Sequence, residues 1–354
     1  MLNKIRAQIL SLNFKIIRRS VISIFASWPK DLERAIILGD SLNHILMSTP
    51  LRYFFKFKIP KNIGTKLYDL SFPSPLIAAS FKDDVSSLVQ WQLVGLGGMT
   101  YKTVLKTPSD GNNRPRIQEI KYDGGYGLIN SLGLPTKGVQ YFVDSFQNPK
   151  LLSFNRPIGI SVGGNSIDEY LDVFNQVNSK VSQSIFDRFF YELNISCPNT
   201  DDGKCLSDDK EGLKALLIEM RNSCSNVIVV KVSPDSSKQN MFEICETLAS
   251  VDKCAINLGN TKYITATSVG LNKSTFSKDG GGLSGIGLLN TTLKNVELIS
   301  SNFDLPIIAT GGISCYNDVS LALKKGATLV GMASQLVIDP FQIPLINSKL
   351  SDDN

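Results

Sequence analysis

One histidine, His44, serves all 354 residues. Ser-His-Asp hydrolysis, Cys-His proteolysis and His-rich metal sites need more imidazole than that, so those chemistries fall away. The six cysteines (Cys197, Cys205, Cys224, Cys245, Cys254 and Cys315) show no C-x-x-C spacing. That argues against a zinc site or a disulfide framework and for reduced thiols in a cytoplasmic setting. The amino-terminal segment has no long uncharged run: residues 20–29 fall well short of the ~20 apolar residues a spanning helix needs. Arg18-Arg19 also interrupts what would otherwise pass for a signal-peptide core. Charged residues make up only 19% of the chain against 42% hydrophobic, which fits a globular protein and excludes long disorder.

The net charge of +5 is unevenly spread: residues 1–62 carry eleven Lys or Arg against Asp31, Glu33 and Asp40. A basic, apolar segment joined to a mildly acidic body reads as an appended module rather than a nucleic-acid binder.

From about residue 70, short apolar runs alternate with segments of helical period, the mark of βα repetition. The candidate strands are 74–80, 96–102, 157–162, 189–196, 227–232, 254–259, 306–310 and 327–333, with helices over 209–223, 238–250, 289–300 and 315–325. Eight such units predict a (β/α)8 TIM barrel, with an open doubly wound sheet as the alternative. The domain reading is a helical extension, 1–62, on a barrel, 63–354.

Barrel chemistry sits at the carboxyl ends of the strands. Here those ends hold Ser80, Lys102, residues 194–199, Lys231, Asn260-Thr261, Gly311-Gly312 and Ala333-Ser334. No carboxylate pair is among them, which disfavours glycoside hydrolysis. The glycine-rich, polar segments 103–135 and 261–287 read as active-site loops. Gly311-Gly312 and "LVGMAS" (329–334) follow the last two strands, where barrels commonly bind phosphate; two ordinary turns are the plain alternative. Lys102 and Lys231 end apolar strands, so each faces an anion in the barrel mouth or is simply exposed. Cys197, within "LNISCPNT" (193–200), has no histidine to activate it as a nucleophile. Desolvated and within reach of an activated C–H it is a feasible base, whereas free cysteines are commonly just buried. The flanking Asn194 and Asn199 can donate to and accept from a planar heterocycle, and buried amides need partners.

Read in order, "SPLIAAS", "YKT" with "GNNRPR" (111–116), "LINSLGLPTKG" (128–138), "LNISCPNT", "VVKVSPD" (229–235), "GNT" (259–261), "GGLSG" (281–285) and "IIATGGI" (307–313) resemble the dihydroorotate dehydrogenase family. The similarity runs from about residue 66 to 340. It implies an FMN-dependent barrel that oxidises (S)-dihydroorotate to orotate in pyrimidine (UMP) synthesis. By that resemblance Cys197 is the base at C5 and the C6 hydride goes to the flavin. Asn130, Asn194, Asn199, Asn260 and Thr261 hold the substrate with Lys102, and the backbone of Leu132, Gly133 and Leu134 receives its carboxylate. Ala79, Ser80, Lys102, Thr103, Asn194, Lys231, Gly285, Gly311, Gly312, Ala333 and Ser334 line the flavin and its phosphate; no metal is implied.

The resemblance divides over the electron acceptor. A cysteine base and "INSLGLP" are similar to the soluble class 1 enzymes. "GNT" and the stretch 31–60 are similar to class 2, with its helical quinone-binding extension. Class 2 members carry "AAGFDK" at the first strand, whereas this chain has Ser80 for the glycine and its lysine one place early, at Lys82. Residues 4–28 suit a basic amphipathic helix on an anionic membrane, or a helix packed on the core. The reading is therefore a quinone-linked enzyme, peripheral on the cytoplasmic side of a membrane. A soluble cytoplasmic enzyme using fumarate, NAD or another acceptor is the alternative, and from another class a non-catalytic flavin-binding protein.

Overall fold

The computed structural model describes residues 2–27, 31–122, 125–146, 148–181, 186–196 and 206–353. Eight parallel strands close into a barrel in chain order: Leu76–Ala78, Gly98–Val104, Ile158–Val162, Phe189–Asn194, Val227–Val232, Cys254–Leu258, Ile307–Thr310 and Leu329–Met332. The last pairs with the first, Gly331 opposite Ile77, so the expected barrel is present and the open sheet is not. Every predicted strand and all four predicted helices are found within a few residues of their expected bounds.

Alternation sets what faces inward. Along the fourth strand Phe190, Glu192 and Asn194 share one face, while Phe189, Tyr191 and Leu193 turn out into the helix layer. On the fifth strand Val227, Val229 and Lys231 alternate in the same way. The lower interior is apolar: Ile77, Phe190, Val229, Ala255 and Ile308 pack with Leu67, Leu70 and Phe72 of a short hairpin, Thr65–Leu67 with Leu70–Phe72. Phe72 meets Phe190 edge-on at 6.3 Å between centroids. That hairpin covers the amino end of the barrel, while Glu192, Asn194, Lys231 and Asn257 gather toward the carboxyl end.

Two features depart from expectation. The segments read as loops, 103–135 and 261–287, contain the strands Ile117–Tyr122, Gly125–Asn130, Lys262–Thr265 and Gly280–Gly285, joined as one antiparallel sheet. Their glycine content hid the alternation.

The extension forms two helices, α1 (Leu2–Ser27) and α2 (Leu32–Ser48), followed by a short 3-10 turn, Pro50–Phe55. Neither is detached. Ala7 and Ser11 of α1 are buried; Phe14 meets Phe341 edge-on at 6.0 Å. Ser11 donates to the fully buried Asp339 at 2.6 Å, and Lys15 pairs with the same carboxylate at 3.0 Å. Arg18 pairs with Glu119 and donates to the Val337 carbonyl at 3.0 Å. Arg6 donates to the Lys56 carbonyl at 2.7 Å. Lys15 and Arg18, expected to meet lipid, are thus turned onto the barrel, and Arg6 onto the segment that follows α2. The outward side of α1 instead shows Leu2, Ile5, Ile9, Leu12, Ile16 and Ile17 to solvent. No helix among the described residues is long and apolar enough to cross a membrane.

Candidate active site

The barrel mouth is organised around Glu192, a carboxylate that reasoning from strand tips overlooked because it lies two residues below the tip. It is essentially fully buried and takes three partners: Ser80 donates at 2.5 Å, Asn257 at 2.8 Å, and the ammonium of Lys231 lies 3.2 Å away. Lys231 also donates to Ser80 at 2.8 Å. Burial alone would raise the Glu192 pKa, but the charge of Lys231 and the hydrogen bonds from Ser80, Asn257 and Lys231 outweigh it and hold the carboxyl below its ordinary range. An acidic residue inside the apolar run "FFYELN" was the available signal.

One step higher, Asn194 donates to Thr103 at 3.0 Å, and the Thr103 and Ser161 hydroxyls are 3.0 Å apart. The register between the second and third strands breaks between Tyr101 and Val104, which brings Thr103 onto these interior groups. Asn260 donates to Ser196 at 2.7 Å and to the side-chain oxygen of Asn194 at 3.4 Å, and its own oxygen accepts from the Thr261 amide at 2.9 Å. Ser80, Thr103, Asn194, Lys231 and Asn260 are therefore brought together at the barrel mouth. Lys102 has no salt bridge among the described residues, and burial holds its pKa below the usual lysine range. Such an ammonium suits an anionic ligand. Cys197 and Asn199 lie outside the described residues.

A second group sits on the antiparallel sheet over the mouth. Asn130 pairs with Gly282 and donates to its carbonyl at 3.3 Å; Thr261 packs where a Gly282 Cβ would stand. Gly133 and Leu134 both have positive φ, +70° and +50°. For leucine this is an uncommon, strained backbone, a pattern that concentrates at ligand-binding sites.

The third group is the glycine cradle. Gly312 has φ +74°, and a Cβ there would lie 2.3 Å from the Leu289 amide. Beside it, the buried Thr310 hydroxyl has no partner among the described residues. Ala333 and Ser334 open the helix Ser334–Ile338 after the last strand, and the first strand is locked to it by Ala79 donating to the Met332 carbonyl at 2.9 Å. Gly285, with φ +107°, closes onto Gly127 of the covering sheet. Backbone without Cβ atoms and a hydroxyl with no partner among the described residues fit a phosphate-bearing flavin.

Lys82 points elsewhere. It pairs with Asp40 of α2 and so ties the extension to the first strand-to-helix connection. His44 is exposed, its Nδ1 3.1 Å from the Ser86 hydroxyl. It borders a cavity of about 320 Å3 whose wall includes Asp83, Asp84, Tyr101, Lys137 and Lys150.

With this geometry in view, comparison with known proteins is specific. The family model for dihydroorotate dehydrogenase matches residues 62–353. The catalytic subunit of dihydroorotate dehydrogenase B (NAD(+)) from Petrotoga mobilis is 31% identical over 274 residues, 77% of this chain and 87% of that one. Its counterpart from Bacillus pumilus is 29% identical over 293 residues, 81% and 90% of the two chains. Among solved structures, DHODH of Eimeria tenella in complex with ferulenol superposes with a TM-score of 0.68 at 18% identity, covering 89% of each chain. With the family match, a barrel whose mouth gathers amides and positive-φ glycines is that of an FMN-dependent oxidoreductase. The chain belongs to the dihydroorotate dehydrogenase family, whose reaction converts dihydroorotate to orotate in pyrimidine biosynthesis.

Proposed function

We propose that this chain oxidises (S)-dihydroorotate with Cys197 as the base and passes the electrons on by a class 1-type route, to NAD+ through a companion chain. The observation that carries the acceptor assignment is the match to NAD(+)-linked catalytic subunits across 87% and 90% of their length. The chain would work in the cytoplasm.

In this reading Asn130, Asn194, Asn199 and Asn260 orient the flat pyrimidine ring, with Thr261 beside them. The backbone of Leu132 to Leu134 and the ammonium of Lys102 take the carboxylate. Cys197 then removes the C5 proton. Ala79, Ser80, Thr103, Lys231, Gly285, Gly311, Gly312, Ala333 and Ser334 would hold FMN, which when bound would supply the acceptor for the C6 hydride. Lys231, paired with Glu192, would turn its ammonium toward the negative charge that the hydride brings.

A second reading, a membrane quinone as acceptor, is favoured by one observation: the row of exposed apolar side chains on α1. Turnover with dihydroorotate decides between them, comparing ubiquinone and menaquinone analogues, fumarate, and NAD+ with and without soluble extract of the source cells. The proposal expects NAD+ reduction only with extract and little turnover with quinone. Full-rate quinone reduction by the chain alone would overturn it.

A further inference from the structure

We infer that Glu33 of the amino-terminal extension is a positioning residue for substrate binding, acting through Arg116 on the loop that would receive the substrate carboxylate. The inference rests on the substrate reading of residues 130–134 given above.

Arg116 is one-tenth exposed and its guanidinium is fully engaged on two sides. Toward the extension, Nε and Nη2 donate to the two carboxylate oxygens of Glu33 at 2.9 and 2.8 Å, a bidentate fork. Toward the site, Nη1 donates to the carbonyls of Asp110, Asn112 at 2.8 Å and Leu132 at 3.4 Å. The same two segments are stitched along their backbones. Asn112 donates to the Leu132 carbonyl at 2.9 Å, Ser131 to the Arg116 carbonyl at 2.8 Å, and the Asn112 side chain to the Ser131 carbonyl at 2.8 Å. They are so close that a Cβ on Gly111 would stand 2.0 Å from the Leu132 oxygen.

Glu33 is itself held. It sits in the first turn of α2, where its amide is capped by Asp31 at 3.1 Å. Asp31 also pairs with Arg114 at 2.6 Å, and Leu32 and Ala35 bury against Ile117. The start of α2 is thus fixed to the covering sheet by two ion-paired arginines and an apolar contact, immediately behind the strained residues Gly133 and Leu134. Glu33 is the anion on the other side of the Arg116 guanidinium, and it also lies 3.4 Å from Arg114. Without it, Arg116 is free to turn toward water and the loop loses the clamp that sets Leu132.

The test is orotate binding to the oxidised holoenzyme, followed by the flavin absorbance change. Glu33→Gln keeps shape and removes charge; Arg116→Lys keeps charge and removes the fork. Each is expected to weaken orotate roughly tenfold, the scale of one charge-assisted hydrogen bond, with FMN occupancy retained and Glu33→Asp intermediate. Hydrogen exchange of residues 130–134 in the same proteins should rise. Unchanged orotate affinity and unchanged exchange in Glu33→Gln would overturn the inference and leave the pair a structural brace. Asn130→Ala is the control for the underlying reading. If it too leaves orotate affinity unchanged, the substrate assignment of the loop has failed and the inference falls with it.

Discussion

The ammonium of Lys231 lies 3.2 Å from the carboxylate of Glu192, both essentially removed from water, with Ser80 bonded to each. Lys231, proposed above to face the flavin, is therefore not a free charge. Its field is partly cancelled by a carboxylate beneath it, and the oxidised cofactor would meet a nearly neutral floor.

That relationship predicts opposite effects on the flavin. Lys231→Ala should lower the midpoint potential of bound FMN, whereas Glu192→Gln, which frees the ammonium, should raise it. Shifts of ~30 mV or more are expected, a tenfold change for a two-electron couple. Spectroelectrochemical titration measures both; shifts of the same sign would contradict the paired-charge account.

The same pair predicts how stability varies with pH. Glu192 is held below its ordinary pKa, so its contribution is present above the unfolded value of about 4.3 and is lost as pH falls through the folded value. Urea unfolding of the wild type should weaken across that acid window, and Glu192→Gln should flatten the dependence. Lys231→Ala, which leaves a buried carboxylate unpaired, should cost about 3–5 kcal/mol at neutral pH.

Gly312→Ala tests the cradle. The left-handed backbone and the nearby Leu289 amide leave no room for a methyl group, so FMN should dissociate at least roughly tenfold more readily while the barrel still folds. Full flavin occupancy after dialysis would remove Gly312 from the phosphate site.

The apolar row on α1 separates the two acceptor readings. Ile9→Asp with Ile16→Asp changes only exposed positions, so fold and flavin reduction should be kept. If the row meets a membrane, the wild type should bind anionic liposomes and this variant should not; under the NAD+-linked reading neither should bind and NAD+-linked turnover should be equal in both. Deleting residues 1–62 is a poorer probe, because it takes Met47 and Phe57 out of the core and removes the clamp on Arg116.

The barrel was legible because its strands are continuous apolar runs and its helices have surface periodicity. Gly311, Gly312, Asn194 and Lys231 were legible because their residue types are unusual at strand ends. The antiparallel sheet was not, since Gly280, Gly281 and Gly282 erase alternation. Glu192 was missed because only tips were searched, and a partner such as Lys231, on the neighbouring strand, is visible only once the strands are in register. The inward turn of Arg6, Lys15 and Arg18 was equally hidden: their partners Lys56, Asp339 and Val337 are set by tertiary packing. The same holds for Glu33 and Arg116, whose pairing depends on where α2 docks.

The central claim is that Cys197 takes the proton of dihydroorotate beside a bound flavin. Anaerobic stopped-flow mixing of the holoenzyme with dihydroorotate tests it most directly. The wild type should bleach with one orotate formed per flavin. Cys197→Ala should retain FMN but bleach roughly 10²-fold more slowly, the usual scale for loss of a general base, and Cys197→Ser should recover part of the rate at higher pH. Equal bleaching rates in wild type and Cys197→Ala, or no bleaching of the wild type at all, would contradict the account.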